Sequence, residues 1–186
     1  ASTLEWRPPK SGGDTRFATR FATVAAGDLA QQAAALNWLR VIEARIGGSM
    51  VMELADDGRF TNFQGVLDIG AGQLVTGGQA TGFDGAKAYL AYDEKRRRLN
   101  FSQISVESDA GSLRMEGHAY LDGPQNSTTV DALLGQFRFL EANLDPPHLF
   151  PRPVRIEAGA IDVRLRLADV ALDVGQLVLI DATTKY

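Results

Sequence analysis

GAKAYLAYDEKRRRLNFSQISVESDAGSLRMEGHAYLDG, residues 85–123, is the stretch whose reading decides the fold. Ala86, Ala88, Leu90 and Tyr92 take every second position, with Lys87, Tyr89 and Ala91 between them. A charged run, Asp93–Arg98, then interrupts the alternation. It resumes in LNFSQISVES, breaks at Asp109-Ala110-Gly111, and resumes again in SLRMEGHAYLDG. Period-two runs separated by Asp- and Gly-rich turns are the pattern of antiparallel hairpins.

The same grammar extends in both directions. Upstream stand SMVMELA, the turn ADDGR and FTNFQGVLDIG; downstream, beyond the polar stretch PQNSTTVDA, come QFRFLEANL, VRIEAG, AIDVRLRLADV and ALDVGQLVLID. RFATRFATVAA (16–26) opens the series, with Phe17, Thr19, Phe21 and Thr23 on one face and Arg16, Ala18, Arg20, Ala22 and Val24 on the other. The expected total is nine or ten strands. VDALLGQFRFLEANL (130–144) also fits a helical stripe through Val130, Leu133, Phe137, Leu140 and Leu144, but Phe137 and Phe139 flanking Arg138 favour a strand for its second half.

One segment departs from this grammar. Asp28 is a good N-cap, Gln31 could complete a capping box, and Leu29, Ala33, Leu36, Leu39 and Ile42 recur at helical spacing before Gly47-Gly48. The spacing predicts one capping helix over about 28–45. Residues 1–15, with RPPKSGGD at 7–14, read as a linker or irregular lead-in, and 16–186 as a single β-rich domain, a segment of a longer protein. The expected fold is therefore mainly β: an antiparallel meander or curled sheet, either an open groove or a jelly-roll-like sandwich, with one capping helix.

A short phrase, GQLV, occurs at 72–75 and again at 175–178, each time after an apolar-acidic-apolar triplet. With ISVESDAGSL it makes a loose theme in which glycine turns or kinks the chain where one strand gives way to another. The intervals between these glycines are unequal, so the theme is no solenoid period.

Composition narrows the function classes. The chain has 186 residues, a net charge of −4 and no cysteine. The charge gives no bulk attraction to nucleic acid, and without thiols there is neither a disulfide framework nor a thiolate metal site. No apolar run is long enough to span a membrane as a helix. His118, in a strand, and His148, in a Pro-rich turn, are not spaced as metal ligands. Asp56-Asp57-Gly58 lacks the rest of a calcium loop and reads as a hairpin turn. No nucleophile elbow and no phosphate-binding glycine loop is present, so the reading is of a non-enzyme with no cofactor. Lys95-Arg96-Arg97-Arg98 reads as a solvated hairpin tip beside Asp93 and Glu94, and Asn126-Ser127-Thr128 matches a glycosylation sequon.

GGSMVMELADDGRFTNFQGVLDIGAGQL (47–74) and FDGAKAYLAYDEKRRRLNFSQISVESDAGSLRMEG (83–117) together resemble the AsmA-like superfamily, nearest to its YhdP-type large periplasmic proteins and related to AsmA and TamB. The resemblance covers about 27–121 well and 137–181 more loosely. It rests on an ordered pattern of hydrophobics and turns, and on no catalytic signature. It implies a long curled β-sheet with an apolar inner groove, in the periplasm of a Gram-negative bacterium, in a parent protein anchored in the inner membrane by an N-terminal helix. The implied work is phospholipid transport toward the outer membrane and maintenance of that membrane, with inner-membrane anchor and outer-membrane proteins as possible partners. This chain would then be a segment without its anchor.

The alternation agrees with a groove. Met50, Met52 and Leu54 share a strand face, Leu90 stands on another, and Ile161, Val163, Leu165 and Leu167 alternate with Asp162, Arg164 and Arg166. These eight are the expected lining for an acyl chain. Each CH₂ leaving water contributes about 0.8 kcal/mol. The same pattern also suits a β-sandwich that binds or scaffolds a protein or glycan partner, where the apolar faces meet each other.

Overall fold

The computed structural model describes residues 3–7, 15–55, 60–123, 130–145 and 154–184. Asp56-Asp57-Gly58, the Asn126 sequon and His148 lie outside the described residues. Eleven strands form one antiparallel sheet: β1 (Thr3–Arg7), β2 (Thr15–Ala25), β3 (Ile42–Leu54), β4 (Phe60–Thr76), β5 (Gln79–Phe83), β6 (Gly85–Asp93), β7 (Arg98–Ser108), β8 (Gly111–Asp122), β9 (Ala132–Leu144), β10 (Val154–Arg166) and β11 (Ala171–Thr184). Their spatial order is the chain order, except that β5 folds back onto the far end of β4 and leaves β6 to pair with β4 directly. Among the described residues there is one sheet and no second sheet facing it; β1 and β11 end its strand order, and β5, paired with β4 alone, is a further edge.

Four details differ from the sequence reading, each for a local reason. Thr3–Arg7, expected within an irregular lead-in, pairs with β2 from Thr3↔Arg20 to Arg7↔Arg16. Leu4 and Trp6 alternate with Glu5, a short strand pattern that stops before Pro8-Pro9. The single helix over 28–45 is instead a short helix, α1 (Ala26–Ala30), followed by a 3-10 helix, Ala34–Val41. Ala33, Leu36, Leu39 and Ile42 repeat every three residues, which suits the 3-10 turn better than the α-turn. From Ile42 the chain is already β3, because Ile42, Ala44 and Ile46 alternate with Glu43 and Arg45 and pair with β4. Asp28 sits in the first turn of α1 rather than at its cap, which is Ala25.

In β2 the register slips between Phe21 and Val24, and Thr23 adopts φ 62°. The extra residue turns Val24 onto the face of Phe21, against the simple alternation. Finally, the two GQLV phrases lie inside continuous strands, not at junctions. Ala44 pairs with Gly72 while Ile46 pairs with Ile69, and Asp162 pairs with Gln176 while Val163 pairs with Val174. Each GQLV glycine therefore marks a β-bulge; Gly111, in the third copy of the theme, does begin a strand, after a turn.

The bulge before Gly72 bends β4 out of the sheet. Its first part pairs with β6 from Asn62 to Ile69, and its last part, Gly72–Thr76, pairs with β5. Gly77 and Gly78 close that hairpin with φ 56° and 76°, the two positive angles a two-residue hairpin turn requires. The Gly77 N–H donates to the Val170 carbonyl at 3.0 Å, so the hairpin tip meets the turn between β10 and β11. The sheet is thus curled, with the β4–β5 hairpin arching over its hollow side.

Candidate functional site: an apolar sheet face

The inter-strand register aligns the side chains into rows. One row runs Met50, Gly65, Leu90, Phe101, Gly117, Phe137, Ile161, Leu177, from β3 to β11. The next is Met52, Phe63, Tyr92, Leu99, Ala119, Gly135, Val163, Val174. On the other side of the first lie Leu67, Ala88, Ile104, Met115, Phe139, Gly159 and Leu179. Every member is apolar, aromatic or glycine. The glycines leave room for the large side chains beside them: a Cβ on Gly65 would stand 2.8 Å from Met50 Cγ, and one on Gly117 2.8 Å from Phe137 Cδ1.

The opposite face is polar. Gln64, Ala91, Asn100, His118, Gln136, Asp162 and Gln176 form one of its rows. Cross-strand ion pairs lie along it: Lys87–Asp68 at 2.8 Å, Arg114–Glu141 at 2.7 Å, Arg138–Glu116, and Arg166–Asp173 at 3.2 Å. The Asp68 carboxylate raises the Lys87 pKa above its ordinary value. These pairs are exposed and add little stability; what they fix is which face is wet. Lys95 and Arg96 are exposed at the β6–β7 tip, where Arg96 pairs with Asp93 at 2.7 Å, as expected for a solvated turn. His118 packs edge-on against Tyr120 on the polar side, with ring centroids 5.2 Å apart. Among the described residues no group of acidic, His or Cys side chains could hold a metal ion, and no polar or charged residue is buried.

Along the apolar rows exposure changes steeply. Met50 and Leu90 are 5% and 4% exposed, whereas Leu177 and Val174, on the same face, are 54% and 57% exposed. The cover accounts for the difference. Leu36 and Leu39 of the 3-10 helix are buried in the core cluster with Phe21, Ile46, Met50 and Leu67, and Trp38 meets Phe101 edge-on at 5.7 Å. Leu74 and Phe83 of the β4–β5 hairpin pack on the same cluster. Burial pushes the Tyr92 phenol above its usual pKa. Between this cover and the sheet remains a cavity of about 230 Å³, walled by Trp38, Ile42, Leu74 and Phe83 and floored by Ile69, Ala86, Ala88, Ile104 and Val106.

Of the expected lining, Met50, Met52, Leu90, Ile161, Val163 and Leu165 stand in these apolar rows or their continuation, and Leu54 follows Met52 by alternation. Met50, Leu90, Leu165 and Leu167 are buried; Met52, Leu54, Ile161 and Val163 are half-buried. Leu167 lies past the end of β10, in the turn, where its N–H donates to the Asp131 carbonyl at 3.0 Å. The sequence reading missed Trp38, Leu74, Phe83, Phe101 and Phe137. The available signal was Gly77-Gly78, a two-glycine hairpin turn directly after an alternating run.

The fold and this face define a single-sheet β-protein whose chemistry is that of an apolar surface. Comparison with known proteins finds no family model, no curated protein and no solved structure that matches the chain.

Proposed function

We propose that this chain is a non-catalytic segment of an AsmA-like envelope protein, with its apolar sheet face serving as a groove for the acyl chains of phospholipid in transit between inner and outer membrane. The reading further assigns it to the periplasm of a Gram-negative bacterium, in a parent protein anchored in the inner membrane. The observation that carries the reading is the row from Met50 to Leu177, apolar at every position across eight strands: buried at its Met50 end, it comes out uncovered on β11, where Leu177 and Val174 are 54% and 57% exposed. An apolar surface open to water is costly, and large ones on soluble proteins mark binding sites. A lipid tail satisfies such a face without directional bonds: a dozen sheltered methylenes are worth on the order of 10 kcal/mol before ordering costs.

The test is native mass spectrometry of the chain purified without detergent, with solvent extraction of the same sample. Phospholipid in stoichiometric amount is the expected result. A clean apo mass that also refuses added fluorescent phospholipid overturns the proposal.

A further inference from the structure

The three edge strands of the sheet are not alike. β1 and β5 are five residues each, and Pro8-Pro9 follows β1 directly. β11 runs for 14 residues, and among the described residues it pairs with β10 alone. Its stretch Val174–Ile180 holds no charge and no proline, and Leu177–Ile180 is the one place in the chain where four Val, Leu or Ile residues stand together. Short edges and prolines discourage further pairing; a long uncharged edge invites it. β11 is also apolar on both sides. Leu172, Val174, Leu177 and Leu179 pair with Leu165, Val163, Ile161 and Gly159 on the apolar face, whereas Val178 pairs with Ala160 on the face that carries the ion pairs. Val178 is 40% exposed and Ile180 74%. A groove for lipid on the apolar face gives no reason for an aliphatic side chain on the wet one. A continuous aliphatic run is the composition of a strand enclosed by its neighbours.

We propose that β11 is a dimerisation edge whose occupant is β11 of a second copy of this chain, antiparallel across a twofold axis. The complement of a strand aliphatic on both sides is another such strand, and in this sequence that run occurs once, in β11. Pairing with β1 of another copy would match at most five of the 14 residues. One self-complementary edge closes as a pair instead of growing into a filament. The β11 charges set the register. Asp173 and Asp181 are equidistant from Leu177, so an axis there would set the two positions opposite each other; an axis at Val178 separates them. Opposed residues of an antiparallel pair share a face. The apolar faces of the two copies therefore join into one, and Val178 meets its counterpart on the polar side. A seam of this length buries on the order of 1,000 Å² in total, the lower limit for a specific contact, which makes the pair weak and concentration-dependent. The inference stands apart from the lipid-binding reading.

The test is analytical ultracentrifugation of the full chain, free of lipid and detergent, across the micromolar range. A monomer–dimer equilibrium is expected. Val178→Lys and Ile180→Lys, both at exposed positions, should each abolish the dimer while the circular-dichroism spectrum stays that of the parent. The chain has no cysteine, so single cysteines report the seam without the lysine variants. Val178→Cys should give a disulfide-linked dimer under mild oxidation, because directly opposed antiparallel residues lie within disulfide reach. Gln176→Cys should link less, and Tyr89→Cys, on the exposed polar side of β6, should not link. A monomer at every concentration overturns the proposal, as does a dimer that both lysine variants keep. Growth beyond the dimer, or linkage no stronger at Val178 than at Tyr89, overturns the twofold seam. Neither arm involves lipid, so each of these failures leaves the acyl-chain reading standing.

Discussion

Leu90 and Leu177 are the same residue type, in the same register row, on the same face of the same sheet. One is 4% exposed and the other 54%. Both are leucines in strands; Leu90 stands between Tyr89 and Ala91, and Leu177 opens the apolar run Leu177-Val178-Leu179-Ile180, so sequence hydrophobicity alone would put the second deeper, not nearer the surface. The difference lies in position and cover: Leu90 is in a strand paired on both sides, beneath two short helical turns and a bent hairpin, whereas Leu177 is on the edge strand β11, which among the described residues has a partner on one side only and contributes no residue to the core cluster. Alternation makes a face apolar; only long-range structure decides whether that face is a core or a surface.

The sharpest way to break this comparison is to truncate both ends. Leu39 is fully buried in the cover, and Leu39→Ala should cost about 2–5 kcal/mol in chemical denaturation. Leu177→Ala should stay within about 0.5 kcal/mol of the parent. If Leu177→Ala costs as much as Leu39→Ala, the β11 end is covered in solution and the contrast disappears. Next in size, Gly65→Ala would press its methyl on Met50 Cγ and on the Ser49 carbonyl, 2.5 Å away, and should lower stability by about 1–3 kcal/mol. Gly70, facing only the Arg45 carbonyl at 3.5 Å, should accept alanine far more easily.

A smaller effect is expected at the bare edge. Ile180 is 74% exposed on β11, and Ile180→Lys should change stability by less than about 0.5 kcal/mol while lowering self-association in light scattering and binding of an apolar dye. The least effect should come from the polar face. Glu141 is held below its ordinary pKa first by the Asn143 amide, at 3.3 Å, and then by Arg114. A depressed carboxylate pKa supports the fold above the unfolded-state value and loses that support as pH falls through the folded-state value. Glu141→Gln should therefore lower Tm slightly at neutral pH, and the deficit should vanish on acidification. Because the carboxylate is exposed, a large drop in Tm would contradict the view that these pairs only label the wet face.

Much of this architecture was legible because a strand face repeats every second residue. Met50/Met52, Ala86/Ala88/Leu90 and Ile161/Val163/Leu165 could be assigned to one side from spacing alone, and the structure puts them there. What could not be read were the places where one residue is added or a turn tightens. The bulge at Thr23 moves Val24 across the sheet, and the three-residue repeat from Ala33 to Ile42 looks like part of an α-helical stripe until the 3-10 turn is seen. The hairpin that walls the cavity is tied at its tip by Gly77 meeting Val170, residues 93 positions apart (170 − 77), and no local pattern signals that contact.

The order of the strands bears on how the molecule is made. Every strand pairs with one that precedes it in the chain: β6 docks on β4 rather than on β5, and all the others dock on their immediate predecessor. Nothing in the sheet has to wait for a distant C-terminal segment, so pairing can keep pace with delivery of the chain from its N-terminal end, with low loop-closure entropy at each step. The late event is the Gly77–Val170 clasp, which needs the last hairpin. At every intermediate length such a sheet offers a fresh, apolar, hydrogen-bonding edge on which the next strand forms, and β11 offers that same template.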